Sequence, residues 1–274
     1  MQIQQIQIAD YSCNLFLPKN YYESGRHYPV IYINGDVPIE EIINEVQKSG
    51  HEADFILLAV WPESWNDDFT PWSAPAFRKG EEAPAGRADV YISRLTSEIK
   101  PYMDANYRTK PEPEYTALFG YSLGGLAAIY AMYKTDLFGT VASLSGSLWY
   151  DGFCEFMEKE TPVRKDTMVY LSLGTKESLS RNPRMCKVAE CTRRARDILS
   201  GQLRSPDCSG AVKGQAGESD GSGSAQENTG NVCFEWNEGG HFHDIPKRFA
   251  KAVRWWISPP ICPGYSSSRS EAHN

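Results

Sequence analysis

Residues 115–133, YTALFGYSLGGLAAIYAMY, constrain the fold of this chain more than any other stretch. A short strand-like run enters a Gly-x-Ser-x-Gly pentapeptide, Gly120 to Gly124, and leaves it as a helix of small residues. A strand that passes directly into a helix needs a sharp turn, and Gly120, Gly124 and Gly125 leave room for neighbouring chain to approach it. Such a turn holds its serine in a strained backbone conformation with Oγ exposed. The N-terminus of the following helix then points free N–H groups and the positive end of its dipole at a developing oxyanion. Ser122 is therefore the candidate nucleophile; it is the strand-to-helix context, not the pentapeptide alone, that gives it chemical meaning.

The rest of the chain alternates in the same way, which favours an α/β fold with a largely parallel sheet. IQQIQIAD and SCNLFLP read as an early antiparallel pair of strands, and YPVIYIN (28–34) and DFILLAVW (54–61) as buried strands. VPIEEIINEVQKSG has helical spacing and stops at Gly50. The proline-rich segment from Pro62 to Gly86 is expected to contain no helix, with Trp65, Phe69 and Trp72 packing it into order. A helix is expected from about Arg87 to Tyr107, with Tyr91, Leu95 and Ile99 on one face and Pro101 kinking or ending it early. GTVASLSGSLW, TMVYLSLG and NVCFEW read as later strands, and DIPKRFAKAVRWWI as a closing helix burying Ile245, Phe249, Val253 and Trp256. Residues 1–258 are expected to form one domain. Residues 205–230, rich in Gly, Ser and Asp, read as a flexible insertion, and 259–274 as a disordered tail.

Composition narrows the function. A net charge of −7 argues against general nucleic-acid binding, which needs an excess of Lys and Arg. No run approaches the roughly 18 apolar residues of a membrane span, and no basic start precedes an apolar run, so a cytoplasmic protein without a membrane partner is expected. Seven cysteines without a CxxC pair read as structural thiols, and no metal site is expected.

A serine nucleophile needs a base. In a strand–Ser–helix arrangement the order is Ser, acid, His, with the histidine after the last strand. NEGGHFHD offers His241, directly after two glycines, and His243, which would begin the closing helix facing solvent or capping it. His241 is favoured. The acid should follow a late strand: MVYLSLGTKES delivers Glu177, and SLWYD offers Asp151 as a competitor whose other role would be a helix N-cap. One oxyanion donor should be the N–H of Leu123. The other should lie in the loop after YPVIYIN, where Gly35 and Asp36 stand and Asp36 is favoured.

With these pieces in place the sequence resembles the putative-esterase family of α/β hydrolases, which includes enterochelin esterases, siderophore trilactone hydrolases, S-formylglutathione hydrolases, feruloyl esterases and mycolyltransferases. The resemblance runs from about Tyr28 to Trp256 and rests on YPVIYINGD, DFTPW, GYSLGGLAA, SLSGSLWY, LGTKES and EGGHF. It implies an α/β-hydrolase fold, a mostly parallel central sheet flanked by helices. Carried over, it puts the nucleophile at Ser122, the acid at Glu177 and the base at His241, and supports Asp36 and Leu123 as oxyanion donors. SLSGSLWY followed by GTKES looks most like the enterochelin-esterase branch. The Gly-His-Ser-Met-Gly-Gly elbow usual in the thioester-cleaving branch is absent.

The implied reaction is ester hydrolysis through an acyl-enzyme, with no cofactor or catalytic metal. Activity is expected to fall as the histidine becomes protonated. The branch implies a catecholate siderophore trilactone or its fragments, taken as an anionic ferric complex. A basic pocket is then expected, with Lys176, Arg181 and Arg184 on the loop after the acid and Arg78 on the aromatic-rich loop, while Trp149 and Trp72 could stack on catechol rings. Loop charges that merely face water and tryptophans that merely pack are the competing reading of these six. A general acyl or carbohydrate esterase is the alternative enzyme, and a non-catalytic binding protein on the same fold the alternative of another class.

Overall fold

A computed structural model describes residues 2–204 and 226–258. Nine strands among them form one sheet in the order β1-β2-β4-β3-β5-β6-β7-β9-β8. β1 (Gln2–Ile8) and β2 (Tyr11–Leu17) are an antiparallel hairpin at one edge, and β2 also runs antiparallel to β4 (Ile56–Val60). From β4 the sheet continues in parallel through β3 (Val30–Asn34), β5 (Thr116–Tyr121), β6 (Thr140–Leu144), β7 (Met168–Gly174) and β9 (Val232–Asn237). β3 to β6 are buried along their whole length, as strands covered on both faces must be.

Alternate strand residues feed two apolar layers. Ile31, Ile33, Leu57 and Phe119 face α1 (Ile39–Lys48) and α8 (Ile245–Ile257), which supply Ile42, Ile43, Val46, Phe249, Val253 and Trp256. Val30, Tyr32, Leu58, Leu118, Val141 and Leu171 face the opposite layer. That layer contains α3 (Ala88–Arg94), α4 (Lys100–Asn106), α5 (Leu123–Ala131), α6 (Phe153–Lys159) and α7 (Val188–Gln202). A one-turn helix, α2 (Trp65–Asp68), lies in the proline-rich segment.

Three expectations change, and two helices come in addition. Of the two outcomes expected at Pro101, a kink or an end, the helix does not end there. The chain opens into a π turn over Leu95–Ile99, with Lys100 N–H reaching back to Leu95 O, and then continues as α4 with Pro101 in its first turn. A proline cannot donate to the turn before it and crowds the carbonyl there, and the wider π turn directly before Pro101 is where the helix gives way to it. The segment expected to lack helix contains α2, short enough to fit between its prolines. Residues 226–230, read as part of a flexible insertion, include β8 (Gln226–Thr229), antiparallel to β9. An edge strand is ordered by backbone pairing and needs no apolar side chains of its own; Glu227 also bonds Arg196 of α7. Residues 205–225 and 259–274 lie outside the described residues. Finally, α6 and α7 were not anticipated. The buried stripe of α7 is Val188, Thr192, Ala195 and Leu199, too small and polar to signal a helix by hydrophobic period.

Candidate active site

β5 is the central strand of the sheet, and Ser122 follows it directly with φ 56° and ψ −121°. A positive φ is strained for a residue with a Cβ, and the surroundings fix it. Ser122 N–H donates to Leu144 O at the end of β6, and Ser122 O accepts from Ser147 N–H at 2.9 Å. The glycines are required by space: a Cβ on Gly120 would lie 2.0 Å from Gly124 O, and one on Gly124 2.7 Å from Asn34 O. Buried Asn34 braces the turn by donating Nδ2–H to Gly124 O at 2.9 Å while accepting from Tyr91 Oη at 2.9 Å.

His241 lies in the loop between β9 and α8. Its Nε2 is 3.1 Å from Ser122 Oγ and its Nδ1 2.8 Å from Glu177 Oε2. With Nδ1 carrying its proton to the carboxylate, Nε2 is free to accept from the serine hydroxyl. The ring is partly open, with the side chain 30% exposed, whereas that of Glu177 is 3% exposed. The two loops are joined by backbone as well: Thr175 N–H donates to Asn237 O at 2.8 Å and Lys176 N–H to Gly239 O at 2.9 Å, which continues the β7–β9 ladder beyond the sheet. Tyr121, the last residue of β5, donates its hydroxyl to His241 O.

Glu177 is saturated with donors. Oε1 accepts from Ser145 Oγ at 2.7 Å, Gly174 N–H at 2.7 Å and Arg248 Nη1 at 2.8 Å, leaving Oε2 to His241. Burial pushes the carboxyl up, but hydrogen bonds from His241, Ser145 and the Gly174 N–H outweigh it and hold the group below its ordinary range. Asp151, the competing acid, is turned elsewhere, in an ion pair with Arg184. His243 is exposed, and the first residue of α8 lies two positions beyond it.

Leu123 opens α5, and its backbone N–H has no hydrogen-bond partner among the described residues; the same holds for Asp36 N–H, after β3. β3 and β5 are adjacent and parallel, so both groups emerge at the same end of the sheet. Gly35 has φ 101° and is covered by the Trp65 ring, which would meet a Cβ there at 2.6 Å.

The six candidate binding residues separate into two groups. The Trp72 ring packs among Tyr130, Tyr150, Phe153 and Phe156, with Nε1–H on Asp151 O at 2.9 Å. Arg184 donates Nη1–H to Pro75 O at 2.8 Å and pairs with Asp151, and its guanidinium lies 5.5 Å from the ring centres of both Phe77 and Trp149. These two residues tie the aromatic-rich loop to the body, the contacts expected on the competing reading of them. Lys176 and Arg181 are exposed, Arg78 is exposed beside Glu81 at 3.7 Å, and Trp149 is half-buried with its edge on Phe77.

Arg248, Ser145, Ser147, Tyr121 and Asn34 were not singled out from sequence. SLSGSLWY contains both serines: Ser145, with φ 47°, bonds Glu177, and Ser147 Oγ is 3.4 Å from Ser122 Oγ. Arg248 carried a signal, a charge on the apolar stripe of α8 between Ile245 and Phe249, and it is 1% exposed. A surface hollow of 520 Å³ between α1 and α8, lined by Glu41, Lys48, Phe242 and Lys247 among others, borders the histidine loop but does not include Ser122. Among the described residues no group of three His, Cys, Asp or Glu is placed to hold a metal, and no helix is long and apolar enough to cross a membrane.

Comparison with known proteins agrees with this architecture. A sequence relative, uncharacterized protein YbbA of Bacillus subtilis (strain 168), is 27% identical over 168 residues, covering 60% of this chain and 67% of the relative. The IroE-like serine hydrolase of Shewanella oneidensis superposes with a TM-score of 0.68 at 16% identity, covering 92% of this chain and 78% of that one. The enterobactin esterase FES of Shigella flexneri, solved with 2,3-dihydroxy-N-benzoyl-glycine, gives 0.64 at 12% identity, covering 94% and 60%. At such identities the two structures share the fold alone. The family model described as Putative esterase matches residues 8–203, more than half of the chain. The chain therefore belongs to the Putative esterase family and is a carboxylic ester hydrolase.

Proposed function

We propose that Ser122, His241 and Glu177 form a catalytic triad that hydrolyses a catecholate siderophore trilactone or its linear fragments. The observation that carries the triad is the unbroken relay from Ser122 Oγ to His241 at 3.1 Å and from His241 to Glu177 at 2.8 Å, set on a strained elbow at the end of the central strand. His241 takes the Ser122 proton as Oγ attacks the ester carbonyl, and Glu177 stabilises the imidazolium. The oxyanion is received by the N–H groups of Leu123 and Asp36. His241 then returns the proton to the leaving alkoxide, and the same ring activates the water that cleaves the acyl-enzyme.

The siderophore part of the reading draws on the fold shared with the enterobactin esterase and on the exposed cations Lys176 and Arg181 on the acid loop, with Trp149 on the loop between β6 and α6. A general acyl or sugar esterase is favoured by a different observation: Arg184 is paired with Asp151 and Trp72 is packed among aromatic rings, so two of the six groups expected to face an anionic aromatic substrate are already engaged within the protein. Product analysis by mass spectrometry separates the two. Ferric and iron-free catecholate trilactones, a feruloyl sugar, S-formylglutathione and a nitrophenyl ester are each run with wild type and Ser122→Ala. Ser122-dependent ring opening well above the nitrophenyl ester supports the trilactone; turnover confined to simple or sugar esters removes it and keeps the triad.

A further inference from the structure

Arg248 has no role in the reaction as written, yet it is the buried charge nearest to it. Its Nη1 donates to Glu177 Oε1 at 2.8 Å, to Tyr121 Oη at 3.2 Å and to Ser145 Oγ. Its Nη2 donates to the carbonyls of Glu238 at 3.3 Å and Gly240 at 2.8 Å, within the loop that presents His241. One rigid, planar group thus holds both the oxygen of Glu177 that His241 does not use and the backbone that sets the imidazole's position. The arrangement leaves the buried Nε–H without a partner, a cost that the other contacts must offset.

We propose that Arg248 is a positioning residue for the acid–base pair, fixing Glu177 and the His241 loop together and offsetting the carboxylate's charge beside the imidazole. The inference rests on the triad reading above. The charged and titratable groups facing this guanidinium are Glu177 from the acid loop and Tyr121 from β5, with His241 beyond the carboxylate. On α8 itself, Lys251 is engaged by Glu235 and Asn237, while at its N-terminal end Asp244 is engaged by Lys247. With Arg248 in place, the Glu177–Arg248 pair next to His241 is close to neutral; without it the imidazole faces a full negative charge, which favours the imidazolium. The geometry and the charge can be removed separately. A lysine keeps the charge but, lacking the fork, serves only one of the two loops; a glutamine removes the charge.

The test is the pH profile of kcat and kcat/KM on a nitrophenyl ester for wild type, Arg248→Lys and Arg248→Gln, with folding followed by circular dichroism. Arg248→Lys is expected to lower kcat about 10- to 100-fold with KM little changed, because the acid–base pair loses its register. Its acid limb stays in place. Arg248→Gln is expected to move the acid limb up by about one pH unit. Arg248→Lys with wild-type kcat overturns the proposal, as does a folded Arg248→Gln with the acid limb unmoved. Should Arg248→Gln not fold, kcat of Arg248→Lys decides alone. Ser122→Ala in the same assay keeps the two readings apart: full activity there removes the triad itself, whereas its loss alongside unaffected Arg248 variants removes only this inference.

Discussion

The Ser145 hydroxyl donates to Glu177 Oε1 at 2.7 Å, on the oxygen that His241 does not use. Ser145 has φ 47°, so a strained residue at the end of β6 is spent on holding the acid at the end of β7. A hydrogen bond to a buried carboxylate contributes more than one between neutral groups. Ser145→Ala is expected to destabilise the fold by about 1.5–3 kcal/mol in urea denaturation. Activity should fall less than in Glu177→Gln, because Gly174 N–H and Arg248 still hold the same oxygen.

Glu177→Gln keeps the shape of the acid and removes its charge. The amide can present its NH₂ to His241 and so favour the wrong tautomer. A loss of about 10³- to 10⁴-fold in kcat is expected, with KM little changed, from steady-state kinetics on a nitrophenyl ester.

The same carboxylate links stability to pH. Its pKa in the folded chain is held below the ordinary 4.5 despite burial, so the ionised form is favoured in the folded state. Its contribution is complete above the ordinary carboxylate range and is lost as pH falls through the lower folded-state value. Thermal melts of wild type between pH 6 and pH 3 should therefore drop more steeply than those of Glu177→Gln once the pH falls below the ordinary 4.5.

Gly124→Ala would put a Cβ 2.7 Å from Asn34 O, against backbone that cannot swing away. A loss of about 1–3 kcal/mol is expected, with activity impaired because the elbow must shift. Gly201, near the end of α7, meets nothing within 4 Å, so Gly201→Ala should instead stabilise by up to about 1 kcal/mol with unchanged kinetics.

Arg184 and Arg181 are three residues apart and predict opposite effects. Arg184→Ala removes the tie to Pro75, Ala76 and Asp151, and should loosen the 72–77 loop in hydrogen exchange. Arg181→Ala should leave exchange unchanged and raise KM for a ferric catecholate substrate alone.

Much of the fold and the relay was legible because each depends on local pattern. Strands buried on both faces read as continuous apolar runs, and a serine between glycines at a strand–helix junction can be located without coordinates. Chain order narrowed the base to His241 or His243 and the acid to Glu177 or Asp151, and the relay in the structure runs through His241 and Glu177. What escaped depends on contacts between residues distant in sequence. Ser145 acts on Glu177 across 32 positions and Arg248 across 71, and nothing in their own neighbourhoods names the partner. Arg184 shows the same limit: a loop arginine looks free until Asp151 is placed beside it. β8 was hidden because backbone pairing along an edge leaves no side-chain signature, and α7 because Thr192 and Ala195 interrupt its stripe.

The central claim is that Ser122 attacks the substrate with His241 as its base. Intact-mass and peptide-mapping mass spectrometry after treatment with a reactive serine phosphonate tests it most directly, on wild type, Ser122→Ala and His241→Ala. The account predicts one adduct, on the peptide carrying Ser122, absent in Ser122→Ala and formed at least about 10³-fold more slowly in His241→Ala. An adduct on another residue, or labelling of Ser122 at an unchanged rate without His241, would contradict it.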